Sequence, residues 1–249
     1  MDKTGEPDDE KLNRYARQII LPHIGKEGQR KLQNSGVLLV GAGGLGSAVA
    51  YYLAAAGVGT INIIDGDNVE VTNLNRQILH NTTRIGENKA LSAKKTLEIF
   101  NPDIKILACQ GQLTYDYAAE IIQKYDCLVD CTDNFPARYL INQIALDFKK
   151  PFFYGAVSEY EGQIMTILPE KGPCYRCLYP SVPSLPLPRG VIGVVPGLVG
   201  LIQASEVIKY LLGVGELLVG ELLIVNVLKV EFLKLQIKRS AGCPACGSG

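Results

Sequence analysis

The stretch VLLVGAGGLGSAVA, residues 37–50, constrains this chain more than any other. Four apolar residues lead into Gly41, Gly43 and Gly46, the spacing G-x-G-x-x-G, with Gly44 inside the motif and a run of small helix-forming residues after it. A buried strand, a tight turn and a helix start in that order open a nucleotide-binding βαβ unit. The glycines let the backbone turn sharply and approach a phosphate, and the unpaired N–H groups at the helix start favour negative charge. The motif predicts a phosphate-bearing ligand and leaves NAD, FAD and ATP open.

The rest of the chain reads as an alternation. Leu12, Tyr15 and Ile19 recur at helical spacing, with Arg14 and Arg17 together on a different face. After the glycine turn a helix runs to Ala56, where Gly57 and Gly59 end it, and TINIID is a second strand closed by Asp65. A polar loop, GDNVEVTNLNRQILH, leads to a helix from about Glu87 to Phe100 with Ala90, Ala93, Leu97 and Phe100 on its apolar face. IKILAC reads as a strand, Tyr115–Lys124 as a helix, CLVDC as a strand and Phe135–Phe148 as a helix. Such alternation implies a parallel, doubly wound sheet.

From Pro151 the texture changes. FFYGAV and GQIMTILP are strands with no helix between them, so antiparallel pairing is expected there. The four prolines of YPSVPSLPLPRG predict an exposed loop, and a long helix over Pro196–Leu212 and two late strands, ELLIVNV and VEFLKLQIK, follow. The uncharged run 190–205 is shorter than the roughly 18 residues of a spanning helix, and Gln203, Glu206 and Lys209 mark a polar stripe expected of a soluble helix. The expected fold is α/β: a Rossmann-like, doubly wound, mostly parallel sheet continued by antiparallel strands. No repeat or linker divides it, so residues 1–249 read as one unit. It has an N-terminal helical arm over 1–35, a nucleotide-binding half over 36–150 and a partner-binding, metal-holding half over 151–249.

The 25 basic and 25 acidic residues cancel, which excludes the basic footprint of a nucleic-acid binder. The hydrophilic start, MDKTGEPDDEKLNRYARQ, has no apolar signal-peptide core, so a cytoplasmic protein without membrane attachment is expected. Of seven cysteines, Cys174 and Cys177 form one C-x-x-C hook and Cys243 and Cys246 another. Four thiolates suit a tetrahedral zinc ion. A redox pair or free buried thiols compete with that reading, and two hooks in one chain favour zinc. Cys109, Cys127 and Cys131 lie in or beside apolar runs and read as core.

Asp65, 19 positions after Gly46, suits the ribose of NAD or ATP alike. Downstream, the polar run DNVEVTNLNRQ, Lys89 near a helix start and CTDN at the end of the fourth strand could bring Asp65, Arg76 and Asp133 to one crevice. A triphosphate with Mg²⁺ needs such a mixture of cations and a metal-binding acid, whereas NAD needs neither.

RYARQ (14–18), GAGGLG (41–46), NLNRQ (73–77), CTDN (131–134), CYRC (174–177) and CPAC (243–246), in this order, resemble the ThiF/MoeB/HesA family, relatives of ubiquitin-activating enzymes. The resemblance spans about Leu12 to Cys246. It implies ATP-dependent adenylation of the C-terminal glycine of a small ubiquitin-like sulfur carrier protein ending in Gly-Gly, with pyrophosphate released. By the same resemblance Asp65 takes the ribose, Arg76 and Lys89 surround the triphosphate, and Asp133 has the magnesium-side role. Asn73 and Gln77 frame the phosphates, and Arg17 reaches into the neighbouring subunit of a homodimer. Each has a plainer alternative: Asp133-Asn134 capping a helix, Arg17 a surface charge, Lys89 paired with a nearby acid. An NAD(P)-dependent oxidoreductase and a non-catalytic carrier-binding pseudoenzyme are the rival functions. Many family members carry a cysteine in the loop after the first hook. Here SLPLPRGVIG has none, so a thioester or persulfide at that position is excluded and sulfur would come from a separate protein.

Overall fold

The computed structural model describes residues 12–183 and 190–247. Eight strands form one sheet in the order β3-β2-β1-β4-β5-β6-β7-β8. They are β1 (Gly36–Val40), β2 (Thr60–Asp65), β3 (Lys105–Gln110), β4 (Cys127–Asp130), β5 (Phe152–Ser158), β6 (Glu161–Ile167), β7 (Glu221–Asn226) and β8 (Glu231–Gln236). The strands from β3 to β5 pair in parallel, with Val37 opposite Ile61 on one side and Cys127 on the other. From β5 onward every pairing is antiparallel, Phe153 opposite Thr166 and Ile164 opposite Leu223.

Period-2 alternation distributes the core over two faces. Val37, Leu39, Ile61, Ile63, Val129 and Phe153 join one cluster, and Leu38, Val40, Leu128, Phe152 and Tyr154 the other. Behind the first lie α2 (Gly25–Asn34), α3 (Gly44–Ala56), α4 (Lys89–Phe100) and α8 (Val194–Leu212). Behind the second lie α5 (Tyr115–Ile121), α6 (Phe135–Asp147), the short α7 (Tyr175–Leu178) and the cysteine hooks. Gly57, at φ +81°, ends α3 as its sequence promised, because a left-handed residue after the last turn caps the open carbonyls.

Several expectations need correction. The arm is a 3₁₀ turn (Asn13–Tyr15) running into one helical turn, α1 (Ala16–Ile19), instead of a continuous helix. Helix α4 starts at Lys89, where Asn88 caps it, and Phe100 is 41% exposed at its last turn. Helix α8 starts two residues before Pro196. Its polar stripe points inward: Gln203 is 0% and Glu206 2% exposed. Gln203 Nε2 donates to the carbonyls of Asp130 (2.8 Å) and Phe153 (3.2 Å). Glu206 accepts from Thr166 Oγ1 (2.6 Å) and Leu218 N (2.7 Å) and pairs with Lys209. The stripe bolts α8 to the sheet through the Gln203 amide nitrogen and the Glu206 carboxylate, while Gln203 Oε1 has no hydrogen-bond partner among the described residues. By length and composition α8 could cross a bilayer, yet it lies against α3, where a Cβ on Gly200 would sit 2.7 Å from the Leu45 carbonyl. The heart of the proline-rich loop, 184–189, and residues 1–11 lie outside the described residues.

Candidate functional site

The chain leaves β1 for β2 and β3 on one side and returns to β4 on the other, so β1 and β4 flank a switch point. Open α/β sheets bind ligands there, at the carboxyl ends of the strands. Gly41 turns the chain at φ +100°, and a Cβ on it would come within 2.6 Å of the Cys131 carbonyl. A Cβ on Gly46 would overlap the Gly41 carbonyl at 2.1 Å. Neither position tolerates a side chain. At Gly43, the residue before α3, a Cβ would meet only Gln77 Nε2 at 3.6 Å, and at Gly44 it would press on Pro196 at 3.0 Å. A ligand therefore has room above Gly43, at the start of a 13-residue helix.

Asp65 ends β2 and clasps this turn: Oδ2 accepts from Ala42 N at 2.7 Å and Oδ1 from Asp67 N at 2.8 Å. Burial raises its pKa, while those two backbone donors and Lys89 pull the other way. Lys89, buried at the first position of α4, reaches Asp67 Oδ2 at 2.9 Å. The expected pairing with a nearby acid is thus present, and that acid is largely exposed and belongs to the loop bordering the crevice.

The NLNRQ segment folds over the glycine turn. Asn73 Oδ1 accepts from Glu70 N (3.0 Å) in a capping box around the 3₁₀ turn Val71–Asn73, so that oxygen is engaged in building the loop. Arg76 follows. Its Nη1 donates to the Thr72 carbonyl (2.9 Å) and Asn75 Oδ1 (3.0 Å), and its Cγ lies beside Gly44. A Cβ on Gly193 would strike the Asn75 carbonyl at 2.4 Å, which is how the start of α8 seats this loop. Gln77 is buried against Gly43, and its Oε1 has no hydrogen-bond partner among the described residues. Asn134 caps α6 by accepting from Ala137 N (3.0 Å). Asp133 does not cap. It is exposed, and its hydrogen bond from Asn134 Nδ2 is a long one, 3.4 Å.

The structure thus gathers Gly41, Gly43, Gly44, Gly46, Asp65, Arg76, Gln77, Lys89 and Asp133 around one crevice. It does not bring Arg17 there. The arm docks at the far end of α3: Gln18 Nε2 donates to the Ala56 carbonyl (2.8 Å), Tyr15 packs on Gly57, and Arg14 bonds the Phe100 carbonyl (3.2 Å). About 20 Å of helix separates that end from the glycine turn. Arg17 is exposed and has no ion pair among the described residues.

Two groups escaped sequence reasoning. His80 is buried behind the turn, with Nε2 2.9 Å from the Ala42 carbonyl and Nδ1 2.9 Å from Ser92 Oγ, and burial lowers its pKa. Its place at the end of NLNRQILH, as one of only two histidines, was the available signal. Asp130 and Arg138 form a buried ion pair (3.5 Å) beneath Asp133, at the end of the CLVD strand.

The cysteine hooks meet. The Sγ atoms of Cys174, Cys177, Cys243 and Cys246 all lie within 4.8 Å of one another, with Cys174–Cys243 at 3.6 Å and Cys177–Cys246 at 3.4 Å. Zn–S bonds of about 2.3 Å in a tetrahedron place sulfurs about 3.8 Å apart, so the donor set fits zinc. Cys127 and Cys131 are buried and inert, burial pushing both thiols up, while Cys109 is half-buried and so only partly the core residue expected.

A fold with its switch point at a glycine-rich turn, basic residues around the crevice and a four-thiolate cluster defines a nucleotide-binding α/β protein with a metal clip. The chain matches the ThiF family over residues 15–245 and belongs to it. It is 46% identical over 249 residues to the sulfur carrier protein adenylyltransferase of Thermus thermophilus, covering 96% of this chain and 92% of that protein. It is also 46% identical over 210 residues to the adenylyltransferase and sulfurtransferase MOCS3-1 of Zea mays. That match covers 82% of this chain and 45% of the relative, so the chain spans about half the length of that protein. The crystal structure of E. coli MccB with AMPCPP and MccA superposes with a TM-score of 0.82 at 25% identity, covering 94% of this chain and 74% of that one.

Proposed function

We propose that this protein is an ATP-dependent adenylyltransferase that activates the C-terminal glycine of a small ubiquitin-like sulfur carrier protein. The observation that carries the reading is the glycine turn with its neighbours: room at Gly43, cations at Arg76 and Lys89 on the loop and helix beside it, and an exposed carboxylate, Asp133, on the segment after β4 whose Cys131 carbonyl packs on Gly41. The family resemblance and the Thermus thermophilus relative supply the substrate class. Neither an oxidoreductase nor a non-catalytic reading gains support from any of these relatives.

The reaction joins a carboxylate to an α-phosphate and expels pyrophosphate. Both partners are anionic, so the protein's task is to offset their repulsion and hold the line of attack. Arg76 and Lys89 neutralise the phosphates, Asp65 holds the ribose, and Gln77 with Asn73 frames the phosphates over the glycine turn. Asp133 is the residue that would hold Mg²⁺, which when bound screens the leaving group. Arg17 serves the site of a second copy, making the working unit a homodimer. The half from 36 to 150 binds nucleotide, and the half from 151 to 249 holds zinc and carrier. Supporting the latter, edge strand β8 exposes Leu233 and Leu235 on one face, apolar area suited to a partner. Thiolates kept for a metal suit a cytoplasmic setting. With no cysteine between Cys177 and Cys243, sulfur is delivered by a separate protein.

Pyrophosphate exchange with ATP, Mg²⁺ and a carrier ending in Gly-Gly tests this directly. Asp133→Ala should lower exchange about 100- to 1,000-fold, because it removes charge stabilisation that matters most in the transition state. Cys131→Ser should leave exchange largely intact, with a stability loss of about 1–3 kcal/mol from a buried hydroxyl. Retained exchange in Asp133→Ala, or a dithiothreitol-sensitive enzyme–carrier adduct dependent on Cys109, Cys127 or Cys131, would overturn the scheme.

A further inference from the structure

Asp133 is held in place by almost nothing of its own. Its neighbour Thr132 is held by three bonds. Asp130 Oδ1 accepts from both Thr132 N (2.9 Å) and Thr132 Oγ1 (2.6 Å), and Arg138 Nη2 donates to the Thr132 carbonyl (2.9 Å). Every polar group of Thr132 is therefore gripped by one buried pair, one member ending β4 and the other in the second turn of α6. The Arg138 guanidinium is itself clamped between the rings of Phe135 (5.7 Å) and Tyr154 (5.6 Å). Gln203 of α8 fixes the Asp130 carbonyl from the other side of the sheet.

Stability does not account for this arrangement. A buried ion pair is on balance a weak source of stability. Here Asp130 Oδ2 and Arg138 Nε lack hydrogen-bond partners among the described residues. Burial opposes ionisation of Asp130 while Arg138 favours it. What the pair does accomplish is to rigidify the peptide that carries Asp133, and to do so without adding net charge beside the phosphates.

We propose that Asp130 and Arg138 are positioning residues that act through Thr132 to hold the Asp133 carboxylate where it meets the metal-bound phosphates. The inference rests on the adenylation reading for its ligand, Mg²⁺ with ATP. Its test is a binding cycle that needs no turnover.

Replacing Asp130 or Arg138 alone leaves an unpaired buried charge and risks the fold, so Thr132 is the handle. Thr132→Val deletes the hydroxyl bond and keeps shape, and Thr132→Ser keeps the hydroxyl. Calorimetric titration with ATP, with Mg²⁺ and with EDTA, isolates the metal-dependent part of the affinity. Thr132→Val should weaken that part about fivefold, the worth of one hydrogen bond, and leave ATP binding in EDTA unchanged. Thr132→Ser should restore it. In an Asp133→Ala background Thr132→Val should change nothing further, because the residue it positions is gone. An equal loss in both backgrounds, or no loss in the Asp133 protein, would overturn the proposal. If the unsubstituted protein binds Mg²⁺ and ATP but exchanges no pyrophosphate with a Gly-Gly carrier, the adenylation reading falls while the cycle still decides the positioning role.

Discussion

At His80 an imidazole buried behind the glycine turn has both ring nitrogens engaged. The Ala42 carbonyl can only accept, so Nε2 carries the proton and Nδ1 accepts from Ser92 Oγ, which fixes the neutral tautomer. Burial lowers the pKa, the Ala42 carbonyl and Asp65 oppose that, and Lys89 and Arg84 reinforce it. Below about pH 6.5 the unfolded chain binds a proton that the folded chain resists, so this residue withdraws stability as pH falls. Urea denaturation from about pH 7.5 to 5.5 should therefore show a smaller acid-side loss in His80→Gln than in the unsubstituted protein. Asp65 and Asp130, whose raised pKa values act in the opposite sense, are common to both proteins and cancel in the comparison. Equal pH slopes would show that His80 does not carry the effect.

Among the elements, the hooks at α7 and after β8 fasten the C-terminal tail to the middle of the chain. Tyr175 N donates to Asn142 Oδ1 (2.8 Å), which links the first hook to α6. Elemental analysis should find about one zinc per chain, lost in the Cys174→Ser, Cys177→Ser double variant together with thermal stability, since metal affinity acts as folding free energy. Unchanged metal content in that variant would refute the assignment. The hooks were legible because C-x-x-C is a local signal repeated. So were the parallel core and its antiparallel extension, because strand and helix periods differ. What periodicity could not supply was direction: Gln203, Glu206 and Lys209 look like a wet stripe until the strands beneath them offer Thr166 and two carbonyls. Asp130 and Arg138 were hidden for the same reason. A charged pair is expected outside, and only the folded sheet shows the partner that lets it be buried.

At the scale of the whole molecule, the arm's position makes a prediction about assembly. Arg17 lies at the end of α3 remote from its own crevice, so if it serves chemistry it serves another subunit's. Mixing Arg17→Ala with Asp133→Ala protein and allowing exchange should regain part of the exchange activity through one composite site, about a quarter of the sites for random pairing. No recovery after verified subunit exchange would place each site within one chain. The seating of α8 has a temporal side as well. Pro196 presses on Gly44, Gly200 nests against Leu45 and Ala48, and Gly193 abuts Arg76. Those faces of the nucleotide half are made early in synthesis, and the helix that covers them emerges some 150 residues later. A nascent chain holding only the glycine motif therefore has half a cradle. The cradle is completed only once α8 has been made as well.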